Sequence, residues 1–274
     1  MKTYGTGLAA GAALALGWAP AAHAQSLHDR YWLQVSGYSA SVDTDVRIAP
    51  ILDEEAGSEL DLETDLGFDD SEFLPAFFAG ARLGSGFSIG AEYYSLGRDA
   101  TATLARDIIV EDVTYPTTAS ITSEFNTDIY RLTVGWAFWR GENFEVGAAI
   151  GLHATDIEIA LEGEGNAGGP TRSFQQRREQ FLAPMPTIGL FASYEVMPRL
   201  TLGGRLDFLS LGIDDYDGRL INAQAQLAYR FMKNIGAGVM YRYVDYRVDV
   251  EKERYAGRFE YEFSGPAFFV EVGF

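Results

Sequence analysis

The chain has 274 residues, with 39 Asp and Glu against 21 Lys and Arg and a formal net charge of −18. Acidity on that scale, with no basic patch, argues against a nucleic-acid partner. Cysteine is absent, which removes any disulfide framework and any Cys-ligated metal site.

The N-terminus reads as a secretory signal. Lys2 is the only charge before His23, Leu8 to Leu16 is an Ala/Leu/Gly run, and Ala22-His23-Ala24 is an A-x-A cleavage site ahead of Gln25. The apolar run is too short and too rich in Gly and Ala to anchor the chain in a bilayer. Residues 1–24 are therefore expected to be cleaved, leaving 25–274 as the functional protein. No later apolar stretch approaches the length of a transmembrane helix. Yet 47% of the residues are hydrophobic, 14% are aromatic and 30 are Gly. A transmembrane barrel spreads its apolar residues this way, over every second position.

The first strand runs from Arg30 to Val42, with Tyr31, Leu33, Val35 and Gly37 on one face and Gln34 and Ser36 on the other. An acidic stretch follows, from Asp53 to Glu72. Asp61, Glu63, Asp65, Asp69 and Glu72 have the offsets of a calcium loop, but the glycine needed at the sixth position is Leu66. Leu60, Leu62, Thr64 and Leu66 alternate with Asp61, Glu63 and Asp65. The spacing favours a strand extension with its carboxylates on the wet face, and leaves Asp61, Glu63 and Asp65 as weak metal candidates.

From Leu74 the alternation is regular. Phe77, Ala79, Ala81 and Leu83 oppose Phe78, Gly80 and Arg82; Ser85-Gly86 turns the chain; Phe87, Ile89, Ala91 and Tyr93 oppose Ser88, Gly90 and Glu92. A longer loop is expected over Asp107 to Thr118. Tyr130, Leu132, Val134, Trp136 and Phe138 then oppose Arg131, Thr133, Gly135 and Ala137. After Gly141-Glu142-Asn143, Phe144, Val146, Ala148, Ile150 and Leu152 oppose Glu145, Gly147, Ala149, Gly151 and His153. Gly163 to Pro170 reads as another long loop. Ile188, Leu190, Ala192 and Tyr194 descend to a turn at Pro198-Arg199, and Leu200, Leu202, Leu206 and Phe208 climb away. Asp214 to Gly218 is a short turn. Ile221 to Phe231 and Ile235 to Tyr243 form two more alternating strands around Lys233-Asn234, and a charged tip from Asp249 to Arg254 leads to the last strand.

That last strand reads G-P-A-F-F-V-E-V-G-F, with Phe268, Val270, Val272 and Phe274 alternating against Phe269, Glu271 and Gly273. It resembles the sorting signal of bacterial outer-membrane β-barrels, in which the final residue is typically Phe with apolar residues at every second position before it. Phe269 departs from the family pattern, which often has a small residue there. The resemblance implies a small barrel of the OmpA, OmpX or OmpW type. It implies Phe268, Val270, Val272 and Phe274 as the assembly signal, read by the barrel-assembly machinery after passage on periplasmic chaperones. It also implies residence among outer-membrane lipid and lipopolysaccharide, with both termini periplasmic.

The expected fold is all-β: a closed antiparallel up-and-down transmembrane barrel of about ten strands, with eight or twelve as alternatives. The apolar face carries almost no charge. By parity Arg82, Arg131, Arg205, Arg230 and Arg242 point inward, as do Glu92, Glu145, Glu195, Asp207 and Glu271. Five positive and five negative groups in one narrow lumen are expected to pair. A soluble barrel would have the reverse polarity. The leading expectation is a structural or surface-interaction barrel with a largely plugged lumen, because wide channels begin nearer ~16 strands. The alternatives are a narrow pore or carrier for a small solute, and an outer-membrane hydrolase using His153 near the rim. His153, with Thr155 and Asp156 close by, matches no hydrolase motif residue by residue. Nothing in the chain points to a cofactor.

Overall fold

Alternation with a period of two carries through nearly every segment, so the chain builds strands almost throughout. The computed structural model describes residues 27, 29–50, 59–84, 86–110, 113–165, 172–213, 216–252 and 255–274. The expected signal over residues 1–24, His28, the acidic residues 53–55, Ser85, the loop residues 166–170, Asp214, Asp215, Glu253 and Arg254 lie outside the described residues. The elements in order are β1 (Tyr31–Pro50), β2 (Glu59–Asp61), α1 (Leu62–Leu66), β3 (Ser71–Arg82), β4 (Phe87–Thr103), β5 (Ile108–Val110), β6 (Val113–Tyr115) and β7 (Ser120–Arg140). They continue with β8 (Phe144–Gly165), β9 (Arg172–Met197), β10 (Leu200–Ile213), β11 (Tyr216–Arg230), β12 (Ile235–Lys252) and β13 (Tyr255–Gly273).

Ten of these strands pair antiparallel in the order β1-β3-β4-β7-β8-β9-β10-β11-β12-β13, and β13 pairs back onto β1. The barrel is closed, and among the described residues each wall strand is paired on both sides along its turn-side half. The closing seam runs from Trp32 opposite Gly273 to Pro50 opposite Tyr255. At its lower end the Phe274 carbonyl accepts from the N–H groups of Arg30 and Tyr31 at 2.6 and 3.1 Å. Tight turns join β3 to β4, β7 to β8, β9 to β10 and β11 to β12, all on the side of Tyr31 and Phe274. The first of them has φ of 81° at Gly84 and 87° at Gly86, a region that a side chain strains.

On the opposite side the strands outrun the expected loops. β7, β8 and β9 have 21, 22 and 26 residues, against about 9–11 needed to cross a bilayer. The segment expected to loop from 163 to 170 therefore contributes its first residues to β8. The segment expected to loop from Asp107 to Thr118 contains the hairpin β5–β6, with Ile108 and Tyr115 completely buried.

The strand expected over Leu60 to Leu66 is also corrected. Only β2 extends there, and one helical turn, α1, follows. The Asp61 carboxylate accepts from the Thr64 N–H at 2.7 Å as N-cap, and Gly67 ends the turn at φ 74°. Leu62 and Leu66 share a face in either geometry, since a spacing of four fits both periods. The cap and the glycine decide for the helix.

The wall changes polarity with height. On β7 the outward residues Tyr130, Leu132, Val134, Trp136 and Phe138 are about half exposed, while Arg131 and Thr133 are buried in the lumen. Further up the same strand, Asp128, Asn126, Glu124 and Thr122 face outward and Ile129, Phe125 and Ile121 are buried. β12 repeats this, with exposed Val239 and Tyr241 giving way to Asp245, Arg247 and Asp249 while Val244, Tyr246 and Val248 turn inward. On β13, Phe268 and Val270 give way outside to Glu262 and Glu260, and Glu271 gives way inside to Phe263, Tyr261 and Phe259. The lower half has the surface of a membrane-spanning barrel, and the upper half has the build of a water-soluble one. Apolar groups left outside below would suit a lipid surround, and those turned inward above suit water outside.

Candidate functional site

The lumen of the lower half collects the charges that parity assigns to it. In the β4–β7 register Glu92 lies directly opposite Arg131. Arg131 donates from Nη1 to Glu92 at 2.9 Å, and from Nη2 to Asp207. Arg205 grips Asp207 through Nε and Nη2 at 2.7 and 2.8 Å and reaches Thr133 Oγ1 at 3.3 Å. Arg242, with no exposed surface, donates to Glu92 at 2.8 Å and to Asn222 Oδ1 at 3.1 Å. Its guanidinium also lies over the rings of Tyr94, Tyr38 and Phe263, at 4.7, 5.8 and 5.8 Å. Five of the ten expected charges thus form one connected network.

Two smaller clusters sit nearer the turns. Arg82 holds Glu145 with two bonds of 2.8 and 3.0 Å, and Arg140 stands 3.9 Å from the same carboxylate. Arg230 donates to Glu271 at 3.1 Å and to Asp29. The tenth charge, Glu195, accepts from the backbone N–H of Arg199 at 3.1 Å and so braces a turn. Asp29 and Arg140 escaped the sequence reading because they lie at strand ends, where alternation gives no face. Asn222 shares the inward parity of Arg230 but has no charge to draw notice.

Below Arg242 the lumen holds a cavity of about 220 Å³, reaching from Asp29, Arg82 and Glu145 at the turn end to Glu92 and Arg131 at mid-depth. Above Arg242 it is filled. Tyr94 packs edge-on to Phe263 at 5.8 Å, and Phe125 stacks on Phe259 at 5.9 Å. Leu62, Leu66 and Phe68 from the α1 segment, Leu104, and Ile108 of β5 complete the core.

Arg98 is a buried latch in this upper half. It is 4% exposed, pairs with Glu63, and donates to Thr44 Oγ1 at 2.6 Å. Its guanidinium lies 5.2 Å from both the Phe68 and Phe125 rings. Arg98 shares the parity of Glu92, and following that alternation past Tyr93 finds it.

Two expectations about chemistry change here. His153 is not at the rim: it is 2% exposed, its ring lies 6.2 Å from that of Tyr246, and Nδ1 has no partner among the described residues. The carboxylates of Asp61, Glu63 and Asp65 do not converge on a common point. Asp61 caps α1, Glu63 accepts from Arg98 and from the Thr44 N–H at 2.9 Å, and Asp65 accepts from Arg106 at 3.1 and 2.5 Å. Glu63 faces the core instead of water, because the helical turn rotates it inward.

No family model matches the chain, and no curated protein matches it. Among solved structures it is similar to the transport unit of the autotransporter AIDA-I from Escherichia coli, at 8% identity over 92% of this chain and 95% of that one, with a TM-score of 0.40. It is similar to the toluene transporter TodX of P. putida at 9% identity, over 90% of each chain, with a TM-score of 0.36. It is also similar to Ail, the attachment invasion locus protein of Yersinia pestis, at 8% identity over 88% of this chain and 99% of that one, with a TM-score of 0.32. Likeness this slight carries nothing about activity, and the closed ten-stranded barrel rests on the chain's own strand pairing.

Proposed function

We propose that the protein is an integral outer-membrane barrel with a closed lumen, and that it acts through the β-structured head its strands raise above the bilayer. The filled upper lumen is the observation that carries this reading. A conduit would need a continuous polar path, and the path from the cavity stops at Arg242 and the aromatic layer of Tyr94, Phe125, Tyr261 and Phe263. Below that layer the exposed apolar belt supports residence in lipid. The head presents polar residues outward and supports a structural or surface-interaction role among lipopolysaccharide.

In this reading residues 1–24 are removed on export, and the turn side with both termini faces the periplasm. Phe268, Val270, Val272 and Phe274 are read by the assembly machinery. Exposure of Phe268, Val270 and Phe274 on the outer face of the wall is consistent with that role. Planar-bilayer recording is the test. Refolded, heat-modifiable protein gives no single-channel steps; stable steps would reject a closed lumen and favour the narrow-pore reading, to which the 220 Å³ cavity would then belong. Recovery in the soluble periplasmic fraction would reject the membrane assignment itself.

A further inference from the structure

We propose that the cavity in the turn-side half of the lumen is a binding cup for a small, uncharged, hydroxyl-rich solute such as a monosaccharide. The cup goes beyond the closed-lumen reading, since a blind cup binds without conducting.

Size is the first ground. A single water needs roughly 10–15 Å³ of such space, and this cavity has about 220 Å³. The second ground is the state of its charges. Of the lining residues, Arg82, Arg131, Arg205 and Arg230 balance Asp29, Glu92, Glu145 and Glu271 in number. The arginines are committed to the lumen carboxylates. A charged ligand competes with these pairs in a low-dielectric site, which is costly. A neutral one leaves them intact.

The third ground is what remains for a ligand to touch. The lining includes Gln34, Ser88, Ser193, Gln224 and Gln226. Gln224 donates to Gln226 at 3.2 Å, which leaves the Gln224 carbonyl oxygen and the Gln226 amide group for a ligand, since each amide side chain has both donors and acceptors. Aromatic plates stand among these groups. Trp32, Phe78 and Phe191 line the cavity, each seated where an inward glycine leaves room. A Cβ at Gly80 would come within 2.3 Å of Trp32, one at Gly90 within 2.9 Å of Phe78, and one at Gly147 within 2.3 Å of Phe191. Apolar rings beside unspent amides and hydroxyls, with the lining charges balanced in number, suit the mixed apolar and hydroxylated faces of a sugar ring.

The test uses the folded, full-length barrel in detergent, titrated calorimetrically with D-glucose, the anion D-gluconate and the cation D-glucosamine. Saturable binding of glucose is expected, with each charged analogue at least about tenfold weaker. Gln226→Leu, which keeps size but removes the amide, is expected to weaken glucose binding about tenfold. Ser193→Phe, which fills the cup, is expected to abolish it while heat-modifiability reports an intact barrel. Should Ser193→Phe fail to fold, Gln226→Leu decides. Absence of saturable glucose binding overturns the proposal, as does binding of either charged analogue as tight as that of glucose, or an unchanged affinity in Gln226→Leu. Silence in bilayer recordings is expected whichever of these results is found, so failure of the cup leaves the closed-lumen reading standing.

Discussion

At the scale of single residues, burial makes the lumen charges interdependent. Glu92 is held by both Arg131 and Arg242. Removing one cation from such a pair leaves a buried carboxylate under-compensated, which costs about 3–5 kcal/mol. Arg242→Leu is therefore expected to destabilise the barrel by that amount in equilibrium urea unfolding. Adding Glu92→Gln should then cost less than it does in the parent barrel, because Glu92 has only Arg131 left to lose. Equal and additive losses would show that the two residues do not act as a pair. In the head, Asp45 behaves in the opposite sense. Partial burial and the neighbouring Asp43, Asp61, Glu59 and Glu260 raise its carboxyl to about 6. The folded form thus holds the proton more tightly than the unfolded chain does. Its favourable contribution is present below the ordinary carboxylate range near ~4 and is lost as pH rises through about 6. Hydrogen exchange along the seam of β1 with β2 and β13 should quicken over that window, beyond the intrinsic pH effect on exchange, and Asp45→Asn should flatten the change.

At the scale of elements, the α1 segment and the strands around it obey different rules. Strand alternation is a local property and was legible wherever ten or so residues kept their period. The region from Glu59 to Phe68 was misread because Leu62 and Leu66 satisfy both a strand and a helix. Its place in the barrel mouth depends on Arg98, which lies 35 residues from Glu63 in the chain. Replacing Arg98 by Ala should free this segment, and limited proteolysis should then cut between Glu59 and Phe68 at a higher rate. Bilayer recordings should stay silent all the same, since Phe125, Tyr261 and Phe263 still close the lumen beneath. Conductance from that variant alone would mean that the α1 segment is the sole seal.

At the scale of the whole molecule, the change of polarity with height sets where the proposed lipid belt ends. Between Tyr130 and Asp128 on β7 the outward face passes from apolar to acidic. One substitution placed on either side of that line should have unequal costs. Val134→Arg, facing the bilayer, is expected to lose about 2–4 kcal/mol of folding free energy into liposomes. Thr122→Arg, on the exposed face of the head, should change it by less than about 0.5 kcal/mol. Equal costs would place the bilayer boundary elsewhere. The upper half also explains how a lumen of ten strands can be shut. Water outside drives apolar side chains in, and Tyr94, Phe125, Phe259 and Phe263 fill the space the wall encloses.

The sequence by itself determined the alternation of the turn-side strands, the turn side and the inward parity of ten charges. All of these follow from a period of two residues, which any short window contains. It also showed that those charges must pair, since signs are balanced and the lumen is narrow. Which charge meets which was decided only by closure and register: Glu92 meets Arg242 across 150 residues of chain, and no local pattern encodes that distance. The filling of the upper lumen was likewise a tertiary outcome. The alternation of Ile121, Phe125 and Ile129 with polar neighbours is the same above the bilayer as below it. Whether the apolar face turns to lipid or to the core depends on what surrounds the wall at that height.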